Sequence, residues 1–122
     1  YNASPASMRA AFVKTDEVWQ AAGRKGRKVA LLGDMLELGE ASASLHSSLT
    51  ENLIQQGFDK VYTAGSLMKN LHDALPEKMR AGHVEKSADL LGIIKLENDD
   101  VVLIKGSHGS KIYELAVILR DT

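Results

Sequence analysis

Apolar residues along this chain follow two patterns. Val29 to Leu32 and Val101 to Ile104 are unbroken apolar runs, each ending in a polar, glycine-bearing stretch. A strand that is covered on both faces reads this way, because neither face meets water. Elsewhere the apolar residues recur at helical spacing. Met8, Ala11, Phe12, Val18, Trp19 and Ala22 predict a first helix, with Ser4-Pro5 as its start and Gly23 as its stop. Leu45, Leu49 and Leu53 predict a second helix over 41–56, closed by Gly57. Lys60 to Ala64 reads as a strand ending in Gly65-Ser66. Leu67, Met68, Leu71 and Leu75 then mark a short helix broken by Pro76. His83-Val84-Glu85 is a weaker third strand. Ser87 can cap a helix carrying Leu90, Leu91 and Ile94, and Asn98-Asp99-Asp100 is a turn. After the strongest strand, Val101 to Ile104, the residues Ile112, Leu115, Ala116 and Leu119 predict a last helix.

The order is a helix, then strand and helix alternating four times. It predicts an α/β fold: a Rossmann-like three-layer sandwich, with a mostly parallel sheet, right-handed crossovers and helices on both faces. A chain that winds one way from the first strand and then returns to its other side has the strand order third, second, first, fourth.

The 122 residues suit a single domain, 1–122. A formal charge of −1 argues against a nucleic-acid partner bound through a broad basic surface. The chain contains no cysteine, which excludes disulfides and thiolate metal sites. No apolar run is long enough to span a bilayer. The chain starts at Tyr1 rather than Met, which reads as a piece of a longer or processed protein.

In open parallel sheets, ligands bind beyond the carboxyl ends of the strands, where the strand order reverses. The predicted order places Gly33-Asp34-Met35 beside Lys105-Gly106-Ser107-His108-Gly109 at that point. These residue types suit an anionic or zwitterionic ligand. Lys105 supplies a positive charge, and Gly106 and Gly109 allow close backbone approach. Asp34 can hold an ammonium group, and His108 can donate a hydrogen bond or carry a proton.

Each residue also has a plainer role. Lys105 can be a solvated side chain, Ser107 a helix cap and Asp34 a turn cap. His46, beside Leu45 on a helix, reads first as a packed or surface histidine, and His72 and His83 read as surface residues. Met8 and Trp19 at helical spacing read as core. Glu37 and Glu40 read as exposed charges around a helix start.

The chain lacks Gly-x-Gly-x-x-Gly after its first strand and lacks Gly-x-x-x-x-Gly-Lys-Ser/Thr throughout. Its histidines and carboxylates do not fall at metal-ligand spacing. The residues alone therefore describe a ligand-binding domain with no independent catalytic set and no metal site.

Three stretches resemble the C-terminal domain of the Mur ligases. The resemblance is greatest to the MurF type, which adds D-alanyl-D-alanine to UDP-N-acetylmuramoyl-tripeptide. Tyr1-Asn2-Ala3-Ser4-Pro5-Ala6-Ser7-Met8 is similar to the family's entry segment, with Ser4 where Asn is usual. Gly33-Asp34-Met35-Leu36-Glu37-Leu38-Gly39-Glu40 matches a specific family motif, with His46 following at the family's spacing. Lys105-Gly106-Ser107-His108-Gly109 is similar to Lys-Gly-Ser-Arg-Gly, with His108 in place of Arg.

The resemblance implies the acceptor-binding domain of a three-domain cytoplasmic enzyme of peptidoglycan precursor synthesis. ATP with Mg2+, held by the central domain, activates the tripeptide carboxylate as an acyl phosphate, and the amine of the incoming dipeptide attacks it. No cofactor is expected in this domain alone. The resemblance further implies that Asn2 lies near the nucleotide and that Asp34, Lys105, Ser107, His108 and His46 surround the acceptor. Its implied partners are D-alanyl-D-alanine, UDP-N-acetylmuramoyl-tripeptide and the central ATPase domain, with no nucleic acid or membrane. The rival readings are the matching domain of a folate polyglutamating ligase and a receiver-type signalling module. The latter needs a phosphorylatable Asp that the middle strand, ending at Gly65, does not offer. A weaker rival is a free-standing small-molecule binding protein.

Overall fold

The first helix begins where its capping chemistry dictates. In the computed structural model, which describes residues 3–112, Ser4 caps helix α1 (Pro5–Ala21). The Ser7 amide donates to Ser4 Oγ at 3.1 Å, and the Ser4 amide donates to Ser7 Oγ at 2.8 Å. This reciprocal box satisfies two amides that the helix cannot. Met8, Phe12 and Thr15 are the buried face of α1. Val18 is 45% exposed, so the predicted apolar face ends a turn early. Trp19 instead lies over the Lys28 ammonium, 4.3 Å from the ring centroid, and donates its Nε1–H to the Gly26 carbonyl.

Four parallel strands follow in chain order: β1 (Lys28–Gly33), β2 (Lys60–Ala64), β3 (Arg80–Val84) and β4 (Val101–Lys105). Their spatial order is β3-β2-β1-β4, the order expected from the alternation. All six residues of β1 are buried. Alternate residues feed two cores, as the two-residue repeat of a strand requires. Ala30 and Leu32 join Met8, Phe12, Leu53 and Leu71 on the face carrying α1, α3 (Leu49–Gln55) and α4 (Lys69–Ala74). Val29 and Leu31 join Tyr62, Leu90 and Ile112 on the other face.

Four expectations change. The helix predicted over 41–56 is two, α2 (Ser42–Ser47) and α3, broken at Ser48. There, the hydroxyls of Ser44, Ser47, Ser48 and Thr50 donate to the carbonyls three residues back, competing with the four-residue ladder. The buried side chains of this stretch are His46, Leu49 and Leu53 rather than a Leu45-led row. A strict spacing of four drifts off a 3.6-residue turn, and His46 follows the turn. The third strand starts at Arg80, three residues earlier than predicted, and ends at Val84.

Ser87–Gly92 is a 3₁₀ turn rather than an α-helix. Three residues per turn put Leu90 and Ile93 on the sheet and leave Leu91 40% exposed. Of the predicted last helix, Ile112 is described and fully buried. Leu115, Ala116 and Leu119 lie outside the described residues.

Candidate functional site: a cleft at the carboxyl ends of the strands

The strand ends approach so closely that only glycine fits. A Cβ on Gly106 would lie 2.7 Å from both Ile112 Cγ2 and Ser110 Oγ, and 2.9 Å from Gly33 Cα. Gly65 has φ +111°, and a Cβ there would overlap the Asp34 carboxylate. Both positions therefore exclude any larger residue on space alone, and Gly65 also on backbone conformation.

The loop after β1 is held by neutral groups. The Ser107 amide donates to the Asp34 carbonyl at 2.9 Å, and Ser107 Oγ accepts from the Leu36 amide at 3.0 Å. The Met35 amide donates to His46 Nε2 at 3.0 Å. Because Nε2 accepts, the imidazole carries its proton on Nδ1, which donates to the Ser42 carbonyl at 2.7 Å. Ser107 and His46 are both fully buried. Asp34 Oδ1 accepts from the Met68 amide at 2.8 Å, tying the β1 tip to the segment after β2.

Beyond this clamp lies a cleft of about 450 Å³. Its walls are Asp34 and Leu36 after β1, Gly65 and Ser66 after β2, the segment 85–88 after β3 and the segment 109–111 after β4. Ser87 Oγ donates to the Ser110 carbonyl at 2.8 Å and joins the last two walls. Charges of both signs face this space: Asp34 and Glu85 against Lys86 and Lys111.

The predicted site residues separate into three groups. Asp34 lines the cleft. Ser107 and His46 lie beneath it, with their polar atoms directed to backbone groups of the loop. Lys105 is half-buried in β4, in register with Leu32, and shares the α1 face with Leu103. It therefore leaves the sheet on the face opposite Ile104 and Ile112, and is not among the cleft residues. The backbone of His108 opens a 3₁₀ turn, and Asn2 lies outside the described residues.

The β2 and β3 tips are functional candidates that the sequence reading passed over. Ser87 reads in sequence only as a cap, although it follows a strand just as Asp34 does. The rule that ligands gather at strand ends applies equally to Ser66 and Lys86.

His72 and His83 are not surface residues. Their rings lie 5.5 Å apart between α4 and β3. His83 Nδ1 is 2.7 Å from Thr63 Oγ1, and His72 Nδ1 and His83 Nε2 are buried without a hydrogen-bond partner among the described residues. Burial, with His83 nearby, holds the His72 imidazole below its ordinary pKa. Among the described residues, no group of three or more His, Asp or Glu side chains could hold a metal ion. Among them, too, no helix is long and apolar enough to cross a membrane.

A family model described as "Mur ligase, glutamate ligase domain" matches residues 1–108. The UDP-N-acetylmuramoyl-tripeptide–D-alanyl-D-alanine ligase of Rickettsia prowazekii is 36% identical over 114 residues, covering 92% of this chain and 24% of that protein. The ligase of the same name from Bacillus subtilis is 36% identical over 120 residues, covering 94% of this chain and 25% of that protein. The crystal structure of MurF from Acinetobacter baumannii superposes with a TM-score of 0.75 at 25% identity, over 100% of this chain and 27% of that one. MurF ligase from Thermotoga maritima, in complex with ADP, superposes with a TM-score of 0.64 at 29% identity, over 96% of this chain and 26% of that one. The chain thus spans about a quarter of the length of these relatives.

Proposed function

We propose, from the premise that this chain belongs to the Mur ligase family through its glutamate ligase domain, that it is the acceptor-holding C-terminal domain of a MurF-type ligase. The whole enzyme would join D-alanyl-D-alanine to UDP-N-acetylmuramoyl-tripeptide at the expense of ATP, in the cytoplasm, during peptidoglycan precursor synthesis. The observation that carries this reading is the cleft at the strand tips, which is lined by Asp34 and Glu85 together with Lys86 and Lys111. A zwitterionic dipeptide fits such a lining.

In this reading the described residues bind and position. Asp34 keeps one carboxylate oxygen on the Met68 amide and turns its remaining charge to the dipeptide ammonium. Once deprotonated, that nitrogen attacks the acyl phosphate carbon, the new C–N bond forms and phosphate leaves. His46 and Ser107 fix the Asp34–Leu36 loop. Lys105 leaves the sheet on the α1 face and is given no acceptor contact, while His108 keeps the role at the acceptor, and Asn2 the role near the nucleotide of the central domain, that the resemblance implies. ATP and Mg2+ belong to that central domain, since this chain carries no phosphate-cradling glycine loop. Closure of the domains assembles the site and excludes water.

The test is phosphate release by the full-length ligase. It is expected to require ATP, the UDP-linked tripeptide and D-alanyl-D-alanine together, and chain 1–122 alone is expected to release none. Glutamate replacing the dipeptide as the required acceptor would transfer the assignment to the folate polyglutamating branch.

A further inference from the structure

The two cations of the cleft lie on adjoining walls that the backbone ties together. Lys86 immediately precedes Ser87, and Lys111 immediately follows Ser110. The hydrogen bond from Ser87 Oγ to the Ser110 carbonyl, 2.8 Å long, therefore joins the two lysine-bearing segments. Ser110 is itself pinned, its Oγ donating to the Ser107 carbonyl at 2.6 Å. On the far side of Lys111, Ile112 is fully buried. Between these anchors Lys111 takes a left-handed backbone, φ +60°, a conformation that disfavours any residue with a Cβ. Strain held at a cleft wall by anchors on both sides is a feature of ligand-positioning segments. Glu85, the anion of this wall, has an oxygen 3.7 Å from His83 Nε2, while no ion pair among the described residues engages Lys86 or Lys111.

Asp34 stands at the tip of β1, and Lys86 follows β3, two strands away in the order β3-β2-β1-β4. Lys111 lies nearer to the β1 tip, because Ser110 and Ile112 on either side of it hold the atoms that a Cβ on Gly33 would meet.

We propose that Lys86 and Lys111 read the acceptor's carboxylate in this cleft, with its ammonium at Asp34. The proposal rests on the acceptor reading above and adds to it the orientation of the acceptor.

The experiment is steady-state kinetics of the full-length ligase with D-alanyl-D-alanine and with its C-terminal amide, which lacks the carboxylate charge. The wild type, Lys86→Met, Lys111→Met, the double variant and Lys86→Arg are compared. Both lysines are exposed, so their removal should leave the fold intact. The double variant is expected to raise the KM for the dipeptide at least about tenfold, while the KM values for ATP and the UDP-tripeptide stay unchanged. Its preference for acid over amide should fall to about one, and Lys86→Arg should keep that preference. A double variant that still prefers the acid as strongly as the wild type would overturn the proposal and leave the ligase assignment standing. A wild type that ligates neither dipeptide would overturn both.

Discussion

The two ends of the sheet use charge in opposite ways. At the amino ends of the strands, the charges satisfy one another. Arg27 grips Asp100 with two hydrogen bonds, of 3.0 and 2.8 Å, reaches Glu97 at 3.4 Å and donates to the Lys95 carbonyl at 3.1 Å. The Arg27 hydrogen bonds hold the Asp100 carboxyl below the usual carboxylate range. Lys28 is buried against Asp16, the Gln56 carbonyl and the Trp19 ring. At the carboxyl ends, neutral groups do the holding. Ser107, His46, Ser110 and Ser87 satisfy the loop backbones, and the charged side chains face the cleft. A charge already neutralised by a neighbour has little left for a ligand. The end that is held by neutral groups is therefore the end equipped to bind.

Substitutions at either end of the sheet test this contrast. The largest expected effect is from Gly106→Ala at the carboxyl end, where the new Cβ would press on Ile112, Ser110 and Gly33. Overpacking against backbone should cost about 3 kcal/mol, visible in urea denaturation, together with loss of ligation. Asp100→Ala at the opposite end should cost about 2 kcal/mol by leaving Arg27 without its charged acceptor. Ligation kinetics in the full enzyme should remain those of the parent, because that end takes no part in the site. A large fall in kcat from Asp100→Ala would erase the distinction between the ends.

The smallest effect concerns pH. His72 has its folded pKa lowered by burial and by His83, so the unfolded chain takes up the proton more readily. Stability from this group is therefore fully present above about pH 6.5, the ordinary histidine value, and is lost as pH falls through the lower folded value. Asp73, Lys69 and Arg80 also act on His72, Asp73 favouring its protonation and the two cations opposing it. Thr63 and Glu85 flank His83. Melting His72→Gln alongside the parent chain from pH 7.5 to 5 should show a shallower decline in the variant.

The parts legible in the sequence were those where the chain leaves an unbroken apolar run. Val29–Leu32 and Val101–Ile104 announced adjacent strands, and Asp34 at the first tip followed from that; β1 is buried throughout, whereas β4 is a half-buried edge strand among the described residues. The same signal concealed Lys105. An unbroken apolar run has no alternation, so nothing in it says which face the terminal lysine takes; only the register with Leu32 does. The third strand was blurred because its residues are half-buried or exposed, with Gly82 making room for Ile93. Ser87–Gly92 has too few apolar positions to separate three residues per turn from 3.6. His46 was read by its neighbour Leu45, whereas its importance comes from two backbone partners that local sequence does not reveal.

The most direct measurement is the Asp34→Asn variant of the full-length ligase. The amide oxygen can still accept from the Met68 amide, so only the charge is removed from the cleft. The melting temperature should stay within about 2 °C of the parent. The KM for D-alanyl-D-alanine should rise at least about thirtyfold, the loss expected on removing one partner of a desolvated charge pair, with the KM for ATP unchanged. A variant that saturates with dipeptide at the parent's concentration would show that the charges at the carboxyl ends of the strands do not hold the acceptor.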